Sequence, residues 1–203
     1  MGGFKILDGL GSGREAGIDS NNRILTSSIT ENIANHVTEF GGRYNLNTGT
    51  INLTTATTSA VMYFKNNEDY VYSITAFILY FGPSTGGSGV STIDIYADPT
   101  GGTIISNAVT ADIIFNMDLG SARDLNADVY KGAQGNTLSG GTLAFSGYQA
   151  PSNARVLNVG QLLVPKGESF GINITPPTGN TSMNVQAIIS GYVNIPEATG
   201  GTL

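Results

Sequence analysis

The sequence predicts an all-β protein: a jelly-roll-like β-sandwich with an extended N-terminal arm and one short helix. Three observations predict it. Gly makes up 28 of 203 residues, about twice the usual share, while Lys and Glu, which fill exposed helix faces, are scarce. From Tyr44 onward, short apolar or alternating runs recur between clusters of Gly, Pro, Asn, Ser and Thr, the mark of strands and turns. The first forty or so residues lack that pattern, and their stretch Asp8–Leu25 is glycine-rich, mixed in charge and almost free of large apolar side chains. Such a stretch cannot build a core and takes its order from a partner surface. The expected division is an attachment arm over 1–42 with a short helix near 29–40, a sandwich domain over 43–196 and a flexible tail over 197–203.

In the arm, Phe4-Lys5-Ile6-Leu7 and Arg23-Ile24-Leu25-Thr26-Ser27 read as short strands. Ser28 with Glu31 reads as a capping box, and Ile29, Ile33, Val37 and Phe40 recur near helical spacing before Gly41-Gly42 stops the run. One narrow stripe on a helix of about three turns does not stand free, so these four residues are expected to pack between subunits or on the β-domain.

In the domain, Ile51 and Leu53 alternate with polar residues, and Val61-Met62-Tyr63-Phe64 ends at an Asn66–Asp69 turn. The run Tyr70–Phe81 is apolar at odd and even positions, which predicts a central strand covered on both faces. Pro83–Gly89 reads as an exposed loop, and Ile93, Ile95 and Ala97 alternate up to Asp98-Pro99. Further strand segments are expected near 103–115, 126–130 and 142–148. Val159–Val164, the turn Pro165-Lys166-Gly167-Glu168, and Phe170, Ile172 and Ile174 together predict a hairpin. The last strand runs through Met183, Val185, Ala187, Ile189, Gly191 and Val193. About eight short strands at this spacing indicate a sandwich or jelly roll, and no internal repeat is evident.

Composition excludes several classes of function. Net charge is −6 with only nine Lys and Arg, scattered rather than striped, so a nucleic-acid partner is not expected. No window of about 18 apolar residues is present for a membrane span. The N-terminus lacks a signal-peptide core and has Ile6 where myristoylation wants Ser or Thr, so synthesis in the cytosol is expected. Zero cysteines remove disulfides, thiolate catalysis and zinc-thiolate sites.

Little chemistry remains. Gly9-Leu10-Gly11-Ser12-Gly13 has Arg14 where the dinucleotide fingerprint needs Gly, and it lacks the Gly-Lys-Ser/Thr of a phosphate loop. His36, the sole histidine, has no Cys or second His to complete a triad or a transition-metal site. Asp94, Asp98, Asp112, Asp118, Asp124 and Asp128 fall at expected strand ends or loops, where Asp usually serves turns. Paired acids for glycoside hydrolysis and a loop calcium site lack supporting spacing. Tyr63, Tyr70, Tyr72, Tyr80, Tyr96, Tyr130, Tyr148 and Tyr192 read as core-edge and interface residues in a domain without Trp; a glycan platform would need a local cluster of aromatic, acid and amide that is not indicated. The loops 83–89, 131–142 and 176–182 would form the adhesive surface of a binding module. No enzyme activity, cofactor or metal is expected.

The stretches Asp8–Leu25, Tyr44–Gly49, Lys65–Glu68, Gly82–Gly89 and Pro176–Met183 together resemble a group of tailed-bacteriophage virion structural proteins encoded among head genes. The resemblance covers most of the chain and has no single diagnostic motif. It implies a capsid decoration (cement) protein, a homotrimer made in the host cytoplasm and seated on the capsid surface, with the major capsid protein as partner. It makes the arm the docking element, with Phe4, Ile6, Leu7, Arg14, Ile18, Arg23 and Leu25 as the expected capsid-binding residues. The alternative of a different class is a host- or glycan-binding adhesin module of a head or tail fibre.

Overall fold

The computed structural model describes residues 17–18, 24–25, 41–106, 109–110 and 113–194, which fall in two units taken separately. The first holds β1 (Gly17–Ile18) and β2 (Ile24–Leu25), antiparallel, with Gly17 opposite Leu25 and Ile18 opposite Ile24. The helix near 29–40, the Phe4–Leu7 strand and the 197–203 tail lie outside the described residues.

The second unit is an all-β sandwich. Its strands are β3 (Arg43–Asn47), β4 (Ile51–Leu53), β5 (Ser59–Asn66), β6 (Tyr72–Phe81), β7 (Ser91–Ala97), β8 (Val109–Thr110), β9 (Ile113–Asn116), β10 (Ala127–Lys131), β11 (Thr142–Gln149), β12 (Ala154–Val164), β13 (Ser169–Thr175) and β14 (Met183–Val193). One sheet runs β11-β7-β13-β5-β10-β8 and the other β12-β6-β14-β3-β9, with β4 also on β14.

The pairings are nested. β3 and β4 pair with β14, β5 with β13, β6 with β12 and β7 with β11, all antiparallel. Successive rungs of this ladder alternate between the two sheets. An antiparallel ribbon bent at every rung and wrapped on itself is a jelly roll, with four strands to a sheet. The expected fold class is the observed one. The residues between β7 and β11 are an insertion into that pattern; they add β10 and β8 beside β5, and β9 beside β3.

The core follows from strand alternation. Ile93 and Ile95 of β7, Phe170, Ile172 and Ile174 of β13, and Met183, Val185, Ala187 and Ile189 of β14 all point inward and are buried. Phe170 links the layers, stacking on Phe64 of its own sheet at 5.2 Å and meeting Phe77 of the other sheet edge-on at 5.4 Å. Between β3 and β4, four residue steps from Asn47 to Ile51 oppose three from Ile188 to Val185. Thr48 absorbs the extra residue: its N–H donates to Ala187 O at 3.0 Å, and its hydroxyl oxygen accepts from Ala187 N–H at 3.0 Å. Gly49 then takes φ +66°, a region that glycine enters without steric cost.

The structure corrects four expectations. Val159–Val164 and Phe170–Ile174 do not form a hairpin: β12 pairs with β6 and β13 with β5 and β7, so the Pro165–Glu168 turn carries the chain across the sandwich. Alternation only says that both strands have an apolar face; it does not distinguish neighbours in one sheet from partners facing each other across a core. The strand covered on both faces is β5, whose Ala60 and Tyr63 face a small second core with Ile104, Tyr130 and Leu138. On β6 the outer face is only half covered, and Tyr80 is 44% exposed. Part of the expected strand near 103–115 is instead the helical turn α1 (Thr103–Ser106), which buries Ile104 in that second core. Asp94 lies in the middle of β7, neither at a strand end nor in a loop.

Candidate interaction surface

A sandwich of two sheets has two open sides, where the sheet edges meet solvent. On one side the insertion closes the gap. Leu125 is buried against the main core, and polar bonds hold its segment in place. Arg123 accepts from Tyr44 Oη (3.3 Å) and Asn116 Nδ2 (2.9 Å) at its carbonyl. Its guanidinium donates to Glu68 Oε2 at 3.0 Å, and Asn126 N–H donates to Glu68 Oε1 at 3.0 Å. Both oxygens of a carboxylate that is only 10% exposed are thereby satisfied.

The other side is bare. β11 ends one sheet and β12 ends the other, and no further strand or helix among the described residues pairs with them there. Near the 150–153 turn, Arg155 of β12 reaches across to β11. Its Nη1 donates to Tyr148 O at 2.7 Å, and its guanidinium lies 5.7 Å from the Phe145 ring centre, within cation–π range. Towards the other end the sheets part around a groove of about 310 Å³, lined by Ala144, Leu162, Leu163 and Phe170 with Asp98 and Glu168. Asp98, by a hydrogen bond and then by its charge, holds the Glu168 carboxyl above its ordinary range.

Register sets what this rim exposes. Leu162 lies opposite Ile74, which points into the core, so Leu162 faces the gap. Leu143 and Tyr148 lie opposite Tyr96 and Thr92 on the outer face of one sheet, and Val156 lies opposite Ile78 on the outer face of the other. Leu143 is 50% exposed, Tyr148 65%, Val156 53%, Leu162 37% and Leu163 52%. Across residues 142–164 the only charged residue is Arg155, and its guanidinium is turned back on β11. Edge strands of soluble proteins are ordinarily guarded by charge, and this pair is not.

Most residues singled out from the sequence are not gathered here. Ile18 and Leu25 sit in the β1–β2 pair; Phe4, Ile6, Leu7, Arg14, Arg23, Ile29, Ile33, Val37, Phe40 and His36 lie outside the described residues. The loops 83–89 and 176–182 are fastened to each other by Thr85 N–H to Ser182 O, Thr181 N–H to Thr85 O and Ser88 N–H to Thr178 O, at 2.8–3.2 Å. Asn180 completes that clamp, accepting from Ser84 Oγ at 2.7 Å and donating to Leu53 O at 2.8 Å. The tyrosines do not converge: Tyr63 stacks on Tyr130 at 5.9 Å, Tyr72 and Tyr192 are buried, and Tyr80 and Tyr148 project from different sheets. Among the described residues no group of three His, Cys, Asp or Glu is placed to hold a metal ion, and no helix is long and apolar enough to cross a membrane. The bare rim was missed by pattern reading, although its signal, 23 residues with one charge, was present in the sequence.

No protein-family model matches the chain, and no curated protein matches it in sequence. Among solved structures it is similar to a chain of tomato aspermy virus determined by X-ray crystallography, at 11% identity over 89% of this chain and 87% of that one. The TM-score is 0.28, too low to bear weight, and the jelly-roll assignment rests on the nested strand pairing.

Proposed function

We propose that the chain is a non-enzymatic structural protein of a virus particle, a decoration or cement protein that attaches to the outside of the major capsid shell through residues 1–42. The observation that carries the reading is the nearly chargeless apolar rim of β11 and β12, a surface suited to lateral contact and poor in groups for chemistry. The jelly roll supports it as an architecture common to viral capsid and lectin domains, although fold by itself does not assign function.

On this reading the arm residues Phe4, Ile6, Leu7, Arg14, Ile18, Arg23 and Leu25 contact the shell, and Ile29, Ile33, Val37 and Phe40 pack where arm meets domain or neighbour. Attachment works by addition. When copies associate, their arms bind together, and the effective concentration of the second arm makes the joint attachment far tighter than one arm alone.

The test is a chain lacking residues 1–42, mixed with shells from which the protein has been stripped. The sandwich has its own core, so the truncated domain is expected to keep its β-type circular dichroism and its cooperative melt while losing shell occupancy. Full occupancy by the truncated domain would overturn the arm's role.

A further inference from the structure

We propose that the outer face of the sheet holding β6 and β14 carries a saccharide site, where amide side chains beside Tyr80 bind a neutral glycan. The inference goes beyond the virion reading and does not depend on it.

Register assembles the site. Gln186 of β14 lies directly opposite Tyr80 of β6, and Asn184 of β14 lies opposite Asn52 of β4. All four point away from the core, because the residues that alternate with them, such as Val185, Leu79 and Leu53, are buried in it. Directly opposed side chains have Cβ atoms about 5 Å apart, so Gln186 stands beside Tyr80. On its other flank Tyr80 lies opposite Ala154 of β12, whose methyl is too small to cover a ring, and Tyr80 stays 44% exposed.

The amides hold one another. Asn52 Nδ2 donates to Asn184 Oδ1 at 2.8 Å and to Ser182 Oγ at 2.9 Å, and Gln186 Nε2 donates to Asn47 Oδ1 at 2.8 Å. Asn47 Oδ1 also accepts from Gly49 N–H at 2.8 Å. A primary amide offers two donor hydrogens and an oxygen with two lone pairs, so the bonds that orient this cluster do not exhaust it. Among the described residues Asn52 Oδ1, Asn184 Nδ2 and Gln186 Oε1 have no protein partner. Donors and acceptors are thus oriented next to an exposed aromatic ring before any ligand arrives, which lowers the ordering cost of binding.

Charge selects the ligand. Residues 44–53, 72–82 and 182–193, which supply the cluster, contain no charged residue. An ionic ligand finds no counter-charge there. A sugar meets both halves of the site: its vicinal hydroxyls donate to and accept from the amides, and its C–H face packs on the tyrosine ring. An aromatic body with a few placed polar groups is the ordinary makeup of a small-ligand site. The sequence did not indicate the cluster because Asn47 and Gln186 stand 139 residues apart and meet only through the sheet order.

The test is an array of neutral and acidic oligosaccharides probed with the full chain, followed by calorimetric titration of the strongest neutral one. The expected result is saturable binding of a neutral glycan that Tyr80→Ala and Gln186→Ala each weaken roughly tenfold. Tyr148→Ala is expected to leave it unchanged, since Tyr148 is 65% exposed on the other sheet. Should Tyr80→Ala misfold by circular dichroism, Asn184→Ala, at an exposed position, carries the test with the same expected loss. A chain that binds no neutral glycan, or acidic ones alone, would overturn the proposal. So would a neutral glycan held equally well by folded Tyr80→Ala or Asn184→Ala, or weakened as much by Tyr148→Ala.

Discussion

The two open sides of this sandwich begin alike, each a pair of sheet edges, and end differently. Beside β3 and β5 the insertion between β7 and β11 continues both sheets and lays Leu125 and Arg123 into the gap, where Arg123 meets Glu68 of the β5–β6 turn. Beside β11 and β12 nothing among the described residues is added, and Leu162 and Phe170 line an open groove. The difference shows two ways of dealing with unpaired edges. One spends chain length and buried hydrogen bonds on a permanent seal, and the other leaves apolar side chains exposed along its edges.

On that contrast, substitutions on the sealed side are expected to cost stability and those on the bare side to cost little. The largest effect is expected for Leu125→Ala, which empties part of the seal and is predicted to lower unfolding free energy by about 3 kcal/mol, read as a lower urea midpoint at unchanged slope. Glu68→Ala comes next, at about 2 kcal/mol. It strands the Arg123 guanidinium and the Asn126 N–H, and the loss is tempered because Arg123 is 28% exposed and keeps some water.

Between the two sides, Tyr72 is fully buried with its hydroxyl unpartnered, so Tyr72→Phe is predicted to stabilise by about 1 kcal/mol. Burial, then the charge of Tyr44, pushes the Tyr72 phenol above its ordinary 10.0. A neutral phenol is favoured in the fold, so that stabilisation is complete below pH 10 and is lost as pH rises above it. Alkaline unfolding followed by tyrosinate absorbance should therefore move to higher pH in Tyr72→Phe. The smallest effect is expected at the bare rim. Val156→Ala should change the stability by less than about 0.5 kcal/mol, read from the same urea midpoint.

Sequence reading reached the fold class because alternation is local. Ile93-Asp94-Ile95 or Val185-Gln186-Ala187 shows an inward face wherever the strand ends up. What it missed is relational. Pro165–Glu168 looks the same whether it turns within a sheet or crosses between sheets. Tyr70–Phe81 looked buried on both faces while β5 is the strand so covered, because Ile104 and Leu138 arrive from the insertion far along the chain. The loops at 83–89 and 176–182 read as free, yet their backbones bond to each other across about a hundred residues of sequence. The rim is the opposite case: its lack of charge is plain in 142–164, but only the sheet order shows that β11 and β12 are edges.

Amide hydrogen exchange of the intact chain tests the contrast between the two sides most directly. The account predicts that amides of β10 and of the segment 125–127 exchange slowly, while the unpaired outward amides of β11 and β12 exchange fast. Fast exchange along β10, or slow exchange of the outward amides of β11 and β12, would contradict it.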